Sequence, residues 1–392
     1  MHRSKKHLHS VSVAVKILNY RMCSKYNMRR KTSAVVDTRY GLPPGAMITS
    51  RSILASGSHH VRLSAMDGLC WRNYAGSQGH PVQSVTALVR LVTTTAAFWV
   101  AATVQGIAVE SASGLYVPGS FGFDAGKTPD PGLYGSTGFF SYNGRIDLYI
   151  DGRQTALDVH KRASFVPFAA LYVPDVEVFG GRVGFTAGSS YNFTGLDAQV
   201  TGSKNVAASV DGWGFGDTIL RAQIGWTHKI WSNTFYVTEW IPTGRYDTGF
   251  SPNAGKNHYG TNLAWGTTYI NQPTKIEFDS VLSLTFNAMN PATNYKNGNE
   301  LHWDWALGML FSNNFKLGVA GFVYRQLTGD TGSGATLGPF EGRVYGVGPH
   351  LVATVPNGRH PVILTLRYYQ EFSAVNRFQG RSITFGTTVK LN

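Results

Sequence analysis

Leu301-His302-Trp303-Asp304-Trp305-Ala306-Leu307-Gly308-Met309-Leu310-Phe311 carries an apolar side chain at every odd position. Between them lie His302, Asp304, Ala306, Gly308 and Leu310, which apart from Leu310 are polar or small. A period of two puts alternate side chains on opposite faces of an extended chain. One face of this segment is therefore greasy and aromatic, and the other is polar. A strand of a soluble sandwich alternates too, but a polar face that carries charges and glycines suits the interior of a barrel whose other face meets lipid better than it suits open solvent.

The same alternation recurs on both sides of this stretch. Phe278, Leu282, Leu284 and Phe286 oppose Glu277, Asp279, Ser283 and Thr285. Leu317, Val319 and Val323 alternate with Lys316, Gly318 and Ala320. Val362, Leu364, Leu366, Tyr368 and Phe372 oppose Thr365, Arg367 and Glu371, while Ile383, Phe385, Val389 and Leu391 oppose Ser382, Thr384, Thr388 and Lys390. Upstream, Leu220, Ala222, Ile224 and Trp226 oppose Arg221, Gln223, Thr227 and Lys229. Trp226, Trp240, Trp265, Trp303, Tyr345 and Tyr368 fall near strand ends, as interfacial aromatic girdles do.

The connections alternate as well. Short turns at 231–233, 271–273, 312–314 and 356–358 are interleaved with long Gly-rich loops at 244–259, 288–298, 328–341 and 373–380. Short periplasmic turns and long external loops are the asymmetry of an outer-membrane barrel. From about Leu133 the pattern predicts strands near 133–142, 159–173, 178–193, 217–230, 233–242, 260–271, 274–287, 299–312, 315–327, 341–355, 361–372 and 381–391. The expected fold is all-β: a transmembrane up-and-down antiparallel barrel of about twelve strands, within ten to fourteen because 143–160 has room for another pair. Its home is the outer membrane of a Gram-negative bacterium.

Charge divides the chain. The net charge is +13 and the isoelectric point about 9.7, values that elsewhere point to nucleic acid. Residues 1–109, however, hold 14 Lys/Arg against Asp37 and Asp67, and residues 110–392 hold 21 against 20 acids. The body is nearly neutral, so no nucleic-acid partner is expected. Cys23 and Cys70 both lie in the basic part, and a body without cysteine suits an exported protein. Residues 1–80 read either as a basic disordered arm or as an extension ahead of the true start, for which Met66 is available; the second reading is preferred.

Residues 81–108 have the order of a secretory signal: Arg90, an uncharged run Leu91–Val109, and Gly106 and Ala108 spaced as a −3/−1 cleavage pair. A single transmembrane helix competes with this reading, but five Thr and Gln residues dilute its core. The expected layout is an extension at 1–80, a signal at 81–108 and the barrel at 109–392.

Four short signatures remain: Gly214-Phe215-Gly216-Asp217, Pro242-Thr243-Gly244-Arg245-Tyr246-Asp247, Tyr295-Lys296-Asn297-Gly298-Asn299-Glu300 and Tyr324-Arg325-Gln326-Leu327-Thr328-Gly329-Asp330. Their order and spacing over roughly 130–392 resemble the meta-pathway phenol-degradation family of outer-membrane proteins, often described as transporters. The resemblance implies a barrel for passive uptake or transport of small hydrophobic or aromatic compounds. It marks Gly214, Gly216, Asp217, Pro242, Thr243, Gly244, Tyr246, Asp247, Gln326 and Asp330 as family positions. Glycine where strand meets loop also serves tight turns, so these positions are expected to shape the barrel more than to touch a permeant. One departure is the ending Lys390-Leu391-Asn392, where an aromatic residue commonly serves the assembly machinery.

Seven charged residues are assigned to the lumen as permeation candidates: Arg221, Glu277, Asp279, Asp304, Arg325, Arg367 and Glu371. Paired lumen charges also set the field that a permeant meets. A structural or general-diffusion barrel without a specific substrate is the alternative, and an outer-membrane hydrolase a further one. Neither catalytic nor metal nor cofactor-binding residues are expected: the histidines of the body have no metal spacing, and Gly-rich 212–217 has no P-loop lysine. The expected partners are the lipid bilayer and its lipopolysaccharide, a small-molecule permeant and the outer-membrane assembly machinery.

Overall fold

Strands cross where alternation predicts them. The computed structural model describes residues 114–150, 153–200, 207–248, 252–336, 338–358 and 360–392. These all fall within one unit, Val82–Asn392. The extension at 1–80, the signal at 81–108 and the cleavage site before Val109 lie outside the described residues.

The elements in order are β1 (Gly132–Ile150), β2 (Arg153–Val173), β3 (Glu177–Val178), β4 (Gly181–Val200), β5 (Ala207–Phe215), β6 (Thr218–His228), β7 (Trp231–Ile241), β8 (Gly260–Asn271) and β9 (Ile276–Asn287). They continue with β10 (Met289–Asn290), β11 (Tyr295–Lys296), β12 (Glu300–Ser312), β13 (Phe315–Gln326), β14 (Arg343–Val355), β15 (Val362–Val375) and β16 (Gln379–Lys390). Strands β3, β10 and β11 are two-residue pieces in connections. β5 and β6 both pair with β4 and together make one wall strand, so the wall has twelve. Every neighbour is antiparallel, and β1 pairs with β16 from Tyr134↔Lys390 to Arg145↔Gln379. That last pairing closes the ring and leaves no edge in the lipid.

The two faces have the expected polarity. Leu282, Leu307, Trp265, Val319 and Phe385 stand exposed on the outside. Glu277, Ser283, Thr285, Glu300, His302 and Gln326 are buried inside. A soluble protein has this arrangement reversed. Here the apolar surface is the one that meets hydrocarbon.

Two assignments need correction. Trp240 is not part of the outer girdle: on β7 it shares the inward set with Thr234, Tyr236 and Thr238, and packs on Leu115 and Tyr116. Proximity to a strand end does not fix a side chain's face; parity does. Arg325 does not enter the lumen either. On β13 it has the parity of Leu317, Val319 and Val323 and is exposed, while Tyr324 and Gln326 on either side face in.

The early strands are longer than the pattern predicts, and no extra pair lies in 143–160. β1 outruns its partner at Arg145↔Gln379, and β2–β4–β5 stay paired up to Leu157↔Val200 and Gln199↔Ala207. β7, by contrast, stops at Ile241 opposite Thr218. Four strands therefore rise as a flange above the rest of the wall, on the long-loop side. Along them the outer face changes character. Phe139, Phe168, Phe193 and Trp213 are exposed aromatics. Above them comes a polar row: Arg162 donates to Asp197 at 3.1 Å, Ser209 donates to the same carboxylate at 2.7 Å, and His160 meets Asn143 at 2.8 Å. The inner face there is apolar, with Ile146, Val159, Leu196, Ala198 and Phe378 in one buried cluster. The change from aromatic to charged marks where the lipid ends.

Candidate permeation path and its internal plug

The segment before β1, Gly114 to Pro131, reads GLYVPGSFGFDAGKTPDP and has no strand period. It lies inside the barrel. A Cβ at Gly114 would meet Glu300 at the long-loop end, and Asp130 pairs with Arg182 at the short-turn end, 3.0 Å away. The segment thus runs the length of the lumen.

Its backbone is held from two sides. Carboxylates take the N–H groups. Asp304 accepts from Gly119 N at 3.0 Å, Phe121 N at 3.0 Å and the Tyr116 hydroxyl at 2.6 Å. Glu277 accepts from Asp124 N at 3.0 Å and Asp279 from Ala125 N at 3.2 Å. Donors from strands on either flank, β15 and β7, take the carbonyls. Arg367 reaches Gly119 O at 2.7 Å and Ser120 O at 2.6 Å. Tyr236 donates to Ala125 O at 2.7 Å, and Thr234 to Gly126 O at 2.8 Å. An irregular chain in a low-dielectric interior needs such partners for its amides. Charge-assisted bonds of this kind are stronger than neutral ones.

Side chains add contacts. Lys316 bridges Asp124 at 2.6 Å and Glu277 at 2.7 Å. The Arg221 guanidinium lies over Phe121 at 5.2 Å and Tyr236 at 5.5 Å, and donates to Thr238 at 2.8 Å. Tyr116 packs on His302 with centroids 4.0 Å apart, and Phe123 stacks on His350 at 4.5 Å. Gly126 is pressed against the wall so closely that a Cβ there would sit 2.3 Å from Thr268 N and 2.5 Å from Ser232 O.

Of the seven charged residues chosen from the sequence, Glu277, Asp279, Asp304 and Arg367 bind this segment's backbone and Arg221 stacks on it. Glu371 faces inward but away from it, accepting from the Tyr142 hydroxyl at 2.8 Å and Gly380 N at 2.8 Å. Arg325 lies outside. Sequence reasoning missed Tyr116, Phe121, Phe123 and Asp124, and their anchors Lys316, His302 and Tyr236. The available signal was a run with three aromatics and no alternation, which needs cover from somewhere.

The family positions cluster at the long-loop end. β5 and β6 meet at a bulge: between Gly188↔Ile219 and Tyr191↔Phe215 the β5–β6 side has one extra residue. The bulge aims Asp217 into the loops. Its carboxylate accepts from Gly244 N at 3.0 Å and Lys256 N at 2.8 Å, while Thr243 holds Thr218 N at 3.0 Å. Gly244 has no room for a Cβ, which would meet Gly255 Cα at 2.7 Å. Arg245, over the Trp213 ring at 5.1 Å, donates to Trp213 O at 2.8 Å. Gly214 and Gly216 flank this strand break, and Pro242 opens the loop beyond it. Asp247 N bonds Asn253 at 2.8 Å, and Asn290 donates to the Tyr246 hydroxyl at 3.1 Å. Asp330 accepts from Tyr295, from Gly298 N at 2.9 Å and from Gln326 at 2.6 Å. Gln326 in turn accepts from Gly342 N at 3.1 Å. All four signatures therefore knit three loops into a cover at one end of the barrel.

A family model described as "Putative MetA-pathway of phenol degradation" matches residues 149–385. The chain belongs to this family. Among solved structures, it is similar to the COG4313 outer membrane channel from Pseudomonas putida F1, at 12% identity and a TM-score of 0.52, over 68% of this chain and 98% of that one. The translocator domain of autotransporter NalP from Neisseria meningitidis matches at 13% identity and a TM-score of 0.37, over 68% and 91% of the two chains. A monoaromatic hydrocarbon channel, CymD, matches at 11% identity and a TM-score of 0.35, over 73% and 97%. No curated protein matches by sequence. Like the first of these structures, the phenol-degradation family member described here is an outer-membrane β-barrel, in contact with a lipid bilayer of a Gram-negative cell.

Proposed function

We propose that the protein passes small hydrophobic compounds, aromatic ones among them, across the outer membrane by passive diffusion, with the internal segment as the element that yields. The observation that supports this best is the make-up of the path. The plug carries Tyr116, Phe121 and Phe123 onto lumen rings at Tyr236, His302 and His350. Planar rings are the groups that exchange most readily for the planar ring of a permeant. A sugar finds less to replace there. The family's link to phenol degradation points the same way, and so does the first structural relative, an outer membrane channel.

The permeant leaves as it entered, so the reading contains no catalytic step. It also expects lipopolysaccharide against the outer half of the lipid-facing surface and insertion by the outer-membrane assembly machinery. Vesicles with a lipopolysaccharide outer leaflet, which slows apolar solutes as plain phospholipid does not, test it: labelled toluene should enter faster with the protein than without it, while arabinose should not. Equal acceleration of arene and sugar would favour a general-diffusion barrel instead.

A further inference from the structure

Above the lipid, the outer face of the flange is hollowed. One row of cross-strand partners runs across it: Arg145 with His160, His160 with Asp197, and Asp197 with Ser209. Two residues further up, Asp158 stands opposite Gln199. These six side chains line a cleft of about 370 Å³.

Some of its polar groups are already engaged. His160 meets Asn143 at 2.8 Å, and Asp197 accepts from Arg162 at 3.1 Å and Ser209 at 2.7 Å. Others are free. Asp158 Oδ1 is buried and has no hydrogen-bond partner among the described residues. Arg145 and Gln199 are exposed and make no side-chain hydrogen bond among the described residues. The free groups are therefore an acceptor, a donor and an amide that is both. A buried oxygen left unpaired is costly until a donor meets it.

This lining disfavours ions of either sign. An anion would face Asp158 and Asp197. A metal cation would face Arg145, and no group of three ligating side chains stands among the described residues. A sugar, whose hydroxyls both donate and accept, can pair with all three free groups. Position narrows the choice. The exposed rings of Phe139, Phe168, Phe193 and Trp213 end the lipid-facing surface below the cleft. Ser209 lies four residues above Trp213, so the cleft opens about 10 Å above the last rings, at about 3.3 Å per residue on strands tilted about 40°. A ligand that spans both surfaces carries acyl chains below and sugars above. Lipopolysaccharide has them in that order.

We propose that this cleft seats a sugar of the lipopolysaccharide headgroup. Asp158 accepts from its hydroxyls, Arg145 and Gln199 bond them from the sides, and the acyl chains pack on the aromatic row. This rests on the lipopolysaccharide contact proposed above and narrows it from half a surface to one seat. It is independent of what permeates the lumen.

The test uses the purified full barrel in detergent and counts bound lipid by native mass spectrometry. The probes are purified lipopolysaccharide, phosphatidylglycerol and the deacylated saccharide of lipopolysaccharide. One lipopolysaccharide per barrel is expected, bound at least tenfold tighter than either of the other two. Asp158→Ala should weaken it at least fivefold. Gln199→Ala and Arg145→Gln, which alter exposed side chains and cover the case in which Asp158→Ala fails to fold, should each weaken it at least threefold. None of the three should change phosphatidylglycerol binding. An affinity unchanged in any folded variant, or phosphatidylglycerol bound as well as lipopolysaccharide, would overturn the proposal. Saccharide bound as tightly as the whole molecule would overturn it too, by giving the cleft to free oligosaccharides. Failure of the broader contact looks different: the wild-type barrel then retains no lipopolysaccharide at all.

Discussion

Asp304 carries more of the plug than any neighbouring side chain, with two backbone amides and one tyrosine hydroxyl on a single carboxylate. A hydrogen bond to a charged group contributes about 1.5–3 kcal/mol, and about 1.4 kcal/mol is a factor of ten. Asp304→Ala should therefore raise the open probability in planar bilayers at least tenfold. Traces as quiet as those of the wild type would remove Asp304 from plug retention. Two arginines give a matched comparison. Arg367→Ala, which frees Gly119 O and Ser120 O, should alter conductance, and Arg325→Ala, on the outer face, should not. An equal effect from both would contradict the faces assigned to them. Asp304 was legible in the sequence because it sits between Trp303 and Trp305 in an unbroken alternation. Arg325 was misplaced although the same rule, applied from Val323, sends it outward. What no alternation reveals is the partner: that Asp304 faces inward follows from its neighbours, but that it binds Gly119 and Phe121 follows only from the folded chain.

At the scale of elements, the wall strands were readable and the plug was not. Strand alternation is a local property with a period of two residues, so β9, β12, β13 and β16 announce themselves. The plug's conformation is imposed from outside by carboxylates on β9 and β12 and by donors on β7 and β15, all far away in sequence. The family signatures fall between these cases. Their glycines mark a strand end, yet the reason for Gly244 is its contact with Gly255 and Asp217 across a loop. Two outcomes follow. Gly126→Ala places a methyl group against the backbone of β7 and β8, so the plug should seat poorly and open probability should rise with the barrel still heat-modifiable on gels. Asp217→Ala removes the acceptor for Gly244 and Lys256. Limited proteolysis should then cut within 244–256 several-fold faster; an unchanged cleavage rate would show that the loop is held by other contacts.

For the molecule as a whole, the polarity of the surface decides where it lives and the internal segment decides what it lets pass. Excision of residues 114–131 should leave a barrel that still migrates anomalously before heating, and one that conducts without closing. The same migration with no added conductance would show that something else blocks the lumen. The pairing of Tyr134 with Lys390 has a consequence for manufacture. The two staves that must meet come from opposite ends of the barrel region, so no partial product is watertight. An eleven-stave intermediate shows bare amides to oil on both flanks, each at a penalty of several kcal/mol. β16 has to be made before the ring can close, and whatever shelters those flanks in the meantime must let go last at this one seam.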